Sequence, residues 1–134
     1  MVKITSDVID IEGVINSTRN EDSGGIIAYI GLIRNTSRGK PVLSVEYSDA
    51  DGTAGAKLQG IVDAIRDKWP INDMAFVHRI GKLKVGDNNV VVAIAAAHRQ
   101  EGFAACQYAI DQFKEKLPTH KKETYLDSTC FESE

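Results

Sequence analysis

Residues 89–99 read NVVVAIAAAHR, in which the unbroken apolar run Val90–Ala97 is followed by a histidine and an arginine. A strand made of this run has apolar side chains on both faces, so other elements must cover both faces. The run is far shorter than the roughly 20 apolar residues of a membrane-spanning helix. It therefore predicts a central strand over Asn89–Ala97, with the rest of the fold arranged around it.

Further strands and two long helices are predicted around this strand. Apolar residues spaced three and four apart indicate helices over residues 53–69 and 103–117, each followed by a proline. β-Branched and aromatic residues indicate three more strands, at Gly25–Ile33, Pro41–Tyr47 and Met74–Ile80. This mixture predicts an α+β or α/β sandwich, in which two long helices lie on a mixed sheet.

The ends of the chain are simpler. A short helix is predicted over Val8–Ile15, with Asp7 as its N-cap. The composition, 43% apolar and 26% charged over 134 residues, is typical of one compact domain. We therefore expect a single domain over residues 1–134, in which residues 124–134 form a mobile acidic tail. The N-terminal residues lack the apolar stretch of an export signal, and no membrane segment is predicted.

Charge is distributed unevenly along the chain. The net charge is −3, but residues 23–122 carry 14 lysines and arginines against 10 aspartates and glutamates. Both ends are acidic. Because the summed charge of a surface biases which ligands gather there, the positive middle predicts an anion site in the body of the domain.

Two groups of cations are candidates for this anion site. His98 and Arg99 stand where the central strand ends and a helix begins, a junction whose free N–H groups attract phosphate or carboxylate. Lys114 projects roughly 20° from Phe103, at the edge of an apolar helix face, where burial would lower its pKa from about 10.4. The alternatives are a structural pairing for His98 and Arg99, and a lysine whose stem merely covers apolar surface for Lys114.

Other cations lie in segments that are predicted to converge on the same region. The loop Arg34–Lys40, RNTSRGK, holds three cations and no acid, and Lys121 and Lys122 follow the second long helix. Such residues are often simply solvated. Their placement after successive elements nevertheless predicts that the loop, the 98–99 pair, Lys114 and Lys121 surround one phosphate-bearing anion.

Several kinds of chemistry find no support in the sequence. The chain contains no GxSxG, P-loop, GxGxxG or HExxH motif. Cys106 falls within the apolar face of the second helix, and Cys130 has acids around it, so neither is predicted to be a nucleophile. The absence of a CxxC motif argues against structural zinc, and we expect no metal, free thiols and a cytoplasmic setting.

The motifs taken together resemble the molybdopterin synthase large (catalytic) subunit family. The similarity extends from about Gly25 to Glu123, and the HRIG run, the later AHR and the terminal KKE are its specific parts. The segments that carry it are GGIIAYIGLIRN (24–35), VEY (45–47), KWP (68–70), VHRIGKLKVGD (77–87), AAAHRQEGF (95–103) and YAIDQFKEKLPTHKKE (108–123).

The resemblance implies an α+β protein with an α/β hammerhead-type fold and an additional α+β subdomain. It also implies a homodimer that binds two small β-grasp sulfur-carrier subunits, giving a heterotetramer. Each carrier would bring sulfur as a C-terminal Gly-Gly thiocarboxylate. Two transfers would convert cyclic pyranopterin monophosphate (precursor Z) to the dithiolene of molybdopterin, in molybdenum cofactor biosynthesis.

The family's functional positions carry over to five residues of this chain. The resemblance implies that Arg34, His98 and Arg99 bind the substrate phosphate, some of them across the dimer interface. It implies that Lys114 and Lys121 are catalytic and stand beside the carrier terminus, with no cofactor. The chain departs from the family pattern at Thr53, at His120, where an aromatic residue is usual, and in the tail after Glu123.

Two other functions remain open at this stage. One is a non-catalytic module that binds anions or nucleic acid through the positive middle. The aromatic content of 7% and the isoelectric point near 5.6 disfavour nucleic acid. The other is a silent paralogue that only scaffolds a carrier protein.

Overall fold

The computed structural model describes residues 1–133. Within this range the chain forms three helices, α1 (Ile11–Asn16), α2 (Ala54–Lys68) and α3 (Arg99–Glu115). The strands are β1 (Val2–Thr5), β2 (Gly25–Leu32), β3 (Thr36–Ser37), β4 (Lys40–Ser48), β5 (Ile71–Arg79), β6 (Gly81–Lys84), β7 (Asn88–Ala96), β8 (His120–Tyr125) and β9 (Cys130–Ser133).

The predicted central strand is β7, which lies inside a four-stranded sheet of order β1-β5-β7-β2. It pairs antiparallel with both β5 and β2, while β1 pairs parallel with β5, so the sheet is mixed as predicted. Residues 89–96 are buried throughout. Helices α2 and α3 cover one face of the sheet, and α1 packs on the other around Ile9, Val14 and Val91. Coverage of both faces explains why this strand carries no polar alternation.

Helix α3 packs on the sheet through a face that is rotated from the predicted one. Its buried residues are mostly small and include Gly102, Ala105 and Ala109. A Cβ on Gly102 would lie 2.5 Å from Cδ1 of Ile27 on β2, so any larger residue would force the Ile27 side chain to move. The predicted member Phe103 is 60% exposed, because the small residues, not the aromatic one, form the contact.

Helix α1 begins later than predicted. Its N-cap is Asp10, whose carboxylate accepts a hydrogen bond from the N–H of Gly13 at 3.1 Å. The prediction of Asp7 as the cap was wrong, because both aspartates fit the residue preference and only Asp10 reaches a free N–H of the first turn. Among residues 1–133, no helix is long and apolar enough to cross a membrane.

A second sheet contains most of the elements that sequence patterns missed. It has the order β3-β4-β8-β9, and β6 also pairs with β4. Strands β3, β6, β8 and β9 were not predicted, and neither was β1 of the first sheet. Residues 124–133, predicted as a mobile tail, form the end of β8, a turn and β9, while Glu134 lies outside the described residues. The mobility of this segment stays a prediction.

The pairing of β4 with β8 decides which side chains meet. Tyr47 lies opposite Lys121, and Val45 lies opposite Glu123. Since successive residues of a strand point to opposite faces, Lys121 and Glu123 share one face of the sheet and Lys122 lies on the other. The inner face covers a second core that includes Val45, Tyr47 and Tyr125.

Candidate active site

A small polar cavity lies where the two sheets meet. Its volume is about 110 Å³, and the elements around it are the end of β2, the start of β7, strands β4 and β8, and the end of α3. Small-molecule sites usually enclose roughly 300–1,000 Å³, so this cavity suits a narrow group. The lining residues are Leu32, Ile33, Arg34, Thr36, Ser37, Val45, Tyr47, Asn89, Lys114, Lys121 and Glu123.

Three of the five predicted site residues line this cavity. Arg34 follows β2, Lys114 lies in the last turn of α3, and Lys121 lies on β8. Lys114 is exposed, so the premise of a lysine buried against the helix face was wrong. The reason is the rotation of α3: the side chain opens to the cavity instead of packing on the sheet. Together the three cations give the cavity a positive lining.

A buried carboxylate, Glu123, balances part of this charge. It is 6% exposed and accepts hydrogen bonds from Ser37 Oγ at 3.0 Å and Tyr125 Oη at 3.1 Å. Its other oxygen lies 3.9 Å from Lys121 Nζ. Sequence reasoning did not select Glu123 as a site residue. The period-two spacing of Lys121, Glu123 and Tyr125 was the available signal, because it places all three on one face.

Two lining residues, Tyr47 and Asn89, belong to a chain of buried polar groups. Asn89 Nδ2 donates to Tyr47 Oη at 2.9 Å, and the backbone carbonyl of Asn89 lies 2.8 Å from His78 Nδ1. His78 Nε2 lies 2.9 Å from Thr119 Oγ1. Burial lowers the pKa of His78 and raises that of Tyr47, so both groups are held neutral.

The remaining predicted pair, His98 and Arg99, lies elsewhere in the chain. Both side chains are exposed beside Gly24 and Gly25, in a separate open depression of about 400 Å³. The eight residues of β2 separate this depression from Arg34, which corresponds to roughly 25 Å. Within one chain, therefore, the structure gathers Arg34, Lys114 and Lys121 but not His98 and Arg99.

The cysteines and possible metal ligands lie outside this cavity. Cys106 is buried in the main core, and burial raises the pKa of its thiol to about 11. Cys130 is exposed on β9. Among the residues that the structure describes, no group of three or more His, Cys, Asp or Glu side chains could hold a metal ion.

The cavity can bind a small anion and stabilise negative charge that develops on it. Arginine and lysine donors bind oxyanions with charge-assisted hydrogen bonds, which are stronger than neutral ones. The buried Glu123 holds Lys121 on the cavity face of β8. Fold and cavity together define an α+β protein with a small site whose three cations suit an anionic group.

The chain belongs to the MoaE protein family, whose pattern matches residues 4–116. The molybdopterin synthase catalytic subunit of Nostoc sp. (strain PCC 7120 / SAG 25.82 / UTEX 2576) is 39% identical over 127 residues, 94% of this chain and 77% of that protein. The family predicted from the motifs is confirmed.

Solved structures show the same fold. The crystal structure of molybdopterin synthase from Staphylococcus aureus superposes with a TM-score of 0.91 and 32% identity, covering 99% of this chain and 96% of that one. The complex of subunits 1 and 2 of molybdopterin-converting factor from Helicobacter pylori 26695 gives a TM-score of 0.75 at 12% identity, covering 98% and 89%, and shows the fold alone. The predicted α+β class is confirmed.

Proposed function

We propose that this chain is the catalytic, sulfur-transferring subunit of a molybdopterin synthase. It would take sulfur from the C-terminal thiocarboxylate of a small carrier subunit and pass it to cyclic pyranopterin monophosphate. The observation that carries the proposal is the cavity in which Arg34, Lys114 and Lys121 surround the buried Glu123. Family membership supports it, since the relatives carry the name of the catalytic subunit.

The roles of the cations follow from the size and charge of the cavity. A chain ending in two glycines has no side chains at its tip, so its terminus fits a cavity of about 110 Å³. Lys114 and Lys121 would neutralise the thiocarboxylate and stabilise charge on its acyl group during transfer. Arg34, at the rim, would bind the substrate phosphate with a planar, bidentate donor set.

His98 and Arg99 take part in this proposal through a second copy of the chain. They lie roughly 25 Å from the cavity of their own chain, given the length of β2. In a two-fold dimer both chains use the same surface, so a residue that reaches the partner's cavity does so from each of the two chains. We propose that the pair reaches the partner's cavity and completes the phosphate site there, which makes the homodimer the functional unit.

The direct test is reconstitution of the reaction. The purified chain, a thiocarboxylated carrier and cyclic pyranopterin monophosphate are mixed, and molybdopterin is measured as its fluorescent oxidised derivative. We expect product that depends on all three components. Product formation by a known synthase with the same carrier is the control for carrier competence. If that control works and this chain gives nothing, the proposed activity is wrong.

The same experiment separates the scaffolding alternative from the enzyme. A silent paralogue would bind the carrier and give no product, whereas the enzyme gives both binding and product. We also propose that the protein works in the cytoplasm. The support is that Cys106 and Cys130 are free thiols, which a reducing compartment maintains.

A further inference from the structure

The hydroxyl of Tyr47 has a proton to donate and no acceptor among residues 1–133. Tyr47 is 4% exposed, lines the cavity and accepts a hydrogen bond from Asn89 Nδ2. A phenol has a single proton and can also accept. Because Asn89 occupies an accepting position, the proton remains available, and among residues 1–133 no acceptor is bonded to it. A group that enters the cavity can supply the acceptor for this proton.

The backbone of Asn89 is fixed by a hydrogen bond from the buried His78. A carbonyl only accepts, so the contact with the Asn89 backbone means that His78 Nδ1 carries the proton. His78 Nε2 then accepts from the Thr119 hydroxyl. Burial holds His78 neutral by lowering its pKa, which keeps this single tautomer. The backbone of Asn89 at the start of β7 is therefore held in place beneath Tyr47.

The orientation of the Asn89 side-chain amide leaves its oxygen without a hydrogen-bond partner among the described residues. Its Oδ1 is buried without a partner among the described residues, and a Cβ on Gly31 would lie 2.5 Å from it. The reversed amide would let Tyr47 donate to Oδ1 and would leave the cavity without this donor. An unpaired buried acceptor destabilises a fold unless a donor reaches it.

Tyr47 also stays protonated under the conditions in which the protein works. Burial raises the pKa of its hydroxyl, the hydrogen bond from Asn89 lowers it, and the negative charge of Glu123 raises it, with a net upward shift. The group is therefore a neutral donor and not a phenolate. It lies across from Lys121 in the β4–β8 pair, so a neutral donor and a cation stand side by side.

We propose that Tyr47 binds an oxygen of the carrier's terminal carboxylate or thiocarboxylate, and that Asn89 positions it. This inference rests on the proposed function, because it assumes that a carrier terminus enters the cavity. A carboxylate presents two acceptors at one end of a chain. One would face Lys121 and the other Tyr47, which matches the paired donors on adjacent strands.

The test compares two carriers on two proteins. Calorimetry measures the affinity of the wild-type chain and of Tyr47→Phe for the carrier with its normal Gly-Gly carboxylate and for a carrier that lacks both glycines. We expect Tyr47→Phe to weaken binding of the intact carrier about tenfold, a typical effect of losing a hydrogen bond to a charged group. The truncated carrier should bind both proteins within about twofold, because it cannot reach Tyr47.

Two results would overturn the inference. An equal loss for both carriers would mean that Tyr47 acts only through the fold, and unchanged binding of the intact carrier would mean that the hydroxyl is not used. If the wild-type chain makes molybdopterin in either case, the proposed function stands and only the role of Tyr47 is lost. If the wild-type chain binds neither carrier, the proposed function itself fails.

Matched variants separate positioning from packing. Tyr108→Phe removes a hydroxyl from α3, where the ring packs on Trp69 far from the cavity, and should leave all affinities unchanged. Asn89→Ala keeps the Tyr47 hydroxyl but removes its support, so we expect a smaller loss that is again confined to the intact carrier. A loss with Asn89→Ala that is the same for both carriers would contradict the positioning role.

Discussion

At the scale of single residues, two adjacent lysines illustrate how the sheet selects a site. Lys121 and Lys122 are chemically identical, and only the resemblance to the family, not the local sequence pattern, separates them. On β8, Lys121 faces the cavity and lies 3.9 Å from Glu123, while Lys122 lies opposite Glu46 on the other face. The function that we propose therefore depends on one lysine of the pair.

We expect Lys121→Ala to lower the turnover of sulfur transfer at least about 100-fold, because removing a preorganised charge from the site of developing negative charge has effects of this size. Lys122→Ala, one residue along the same strand, is the control and should remain within about twofold of the wild-type rate. The measurement is the initial rate of molybdopterin formation with saturating carrier. Equal losses in both variants would contradict the assignment of faces.

Glu123 is predicted to matter for stability as well as for the site. Glu123→Ala leaves the hydroxyls of Ser37 and Tyr125 without their acceptor in a buried region, so we expect the free energy of unfolding to fall by about 2 kcal/mol. Glu123→Gln retains an acceptor oxygen and should cost about half as much. Urea unfolding followed by circular dichroism measures both. A Glu123→Ala protein as stable as the wild type would show that these hydrogen bonds contribute nothing net.

At the scale of elements, the C-terminal hairpin supports the loop that carries Arg34. The guanidinium of Arg38 lies 3.6 Å above the ring of Phe131 on β9. Lys40 Nζ lies 3.2 Å from Asp127 and 3.0 Å from Thr129 Oγ1 in the turn between β8 and β9. The acidic end of the chain thus packs against the cation-rich loop, which gives it a structural role beyond solubility.

The turn of this hairpin should respond to acid. Hydrogen bonds from Thr129 and the nearby charge of Lys40 lower the pKa of Asp127 from 3.8 to about 2. Because the pKa of Asp127 is lower in the folded protein than in the unfolded chain, its ionised carboxylate stabilises the folded turn at pH values above the ordinary pKa of 3.8. This stabilisation is lost as the pH falls through about 2. We expect the Asp127 carboxyl carbon signal in an NMR titration to have its midpoint near the lower value.

Two controls accompany the titration. In the wild-type protein the NMR signal of the Thr129 amide should shift as Asp127 titrates. Asp127→Asn should abolish this shift, since the ionising group is gone. A midpoint of the Asp127 signal near 3.8 would contradict the hydrogen-bonded turn, because it would mean that the folded and ordinary pKa values are the same.

At the scale of the whole molecule, the five predicted cations form two groups at opposite ends of the first sheet. Strand β7 has Asn89 near one end and leads into His98 at the other, and α3 runs from Arg99 to the turn that holds Lys114. The 17 residues of α3 span roughly 25 Å. If all five act on one substrate, two copies of the chain must contribute to each site.

Mixing two inactive variants tests this arrangement. Arg99→Ala and Lys121→Ala are each expected to lose activity. After subunits exchange, half of the dimers are mixed, and each mixed dimer has one intact site, so about a quarter of the wild-type rate should return. Activity is measured before and after exchange. A site built within one chain would remain inactive in every mixture, which would contradict the shared site.

The sequence by itself determined three of the four strands of the main sheet, β2, β5 and β7, and the family. The apolar run over residues 90–97 identified the central strand, because a strand that is covered on both faces lacks polar alternation. The helical spacing of apolar residues also predicted α2 and α3. Local pattern could not give the rotation of α3, since the small residues Gly102, Ala105 and Ala109 contact the sheet and carry little hydrophobic signal.

Only the tertiary structure decided which residues form the site. Strands β8 and β9 were missed because their residues are mostly polar, and the pairing that stabilises them joins distant parts of the chain. That pairing brings Glu123 and Tyr47 into the cavity and turns Lys122 away from it. The same geometry separates His98 and Arg99 from Lys121 within one chain. Sequence records which chemical groups are present, whereas strand register and sheet order fix the distances between them.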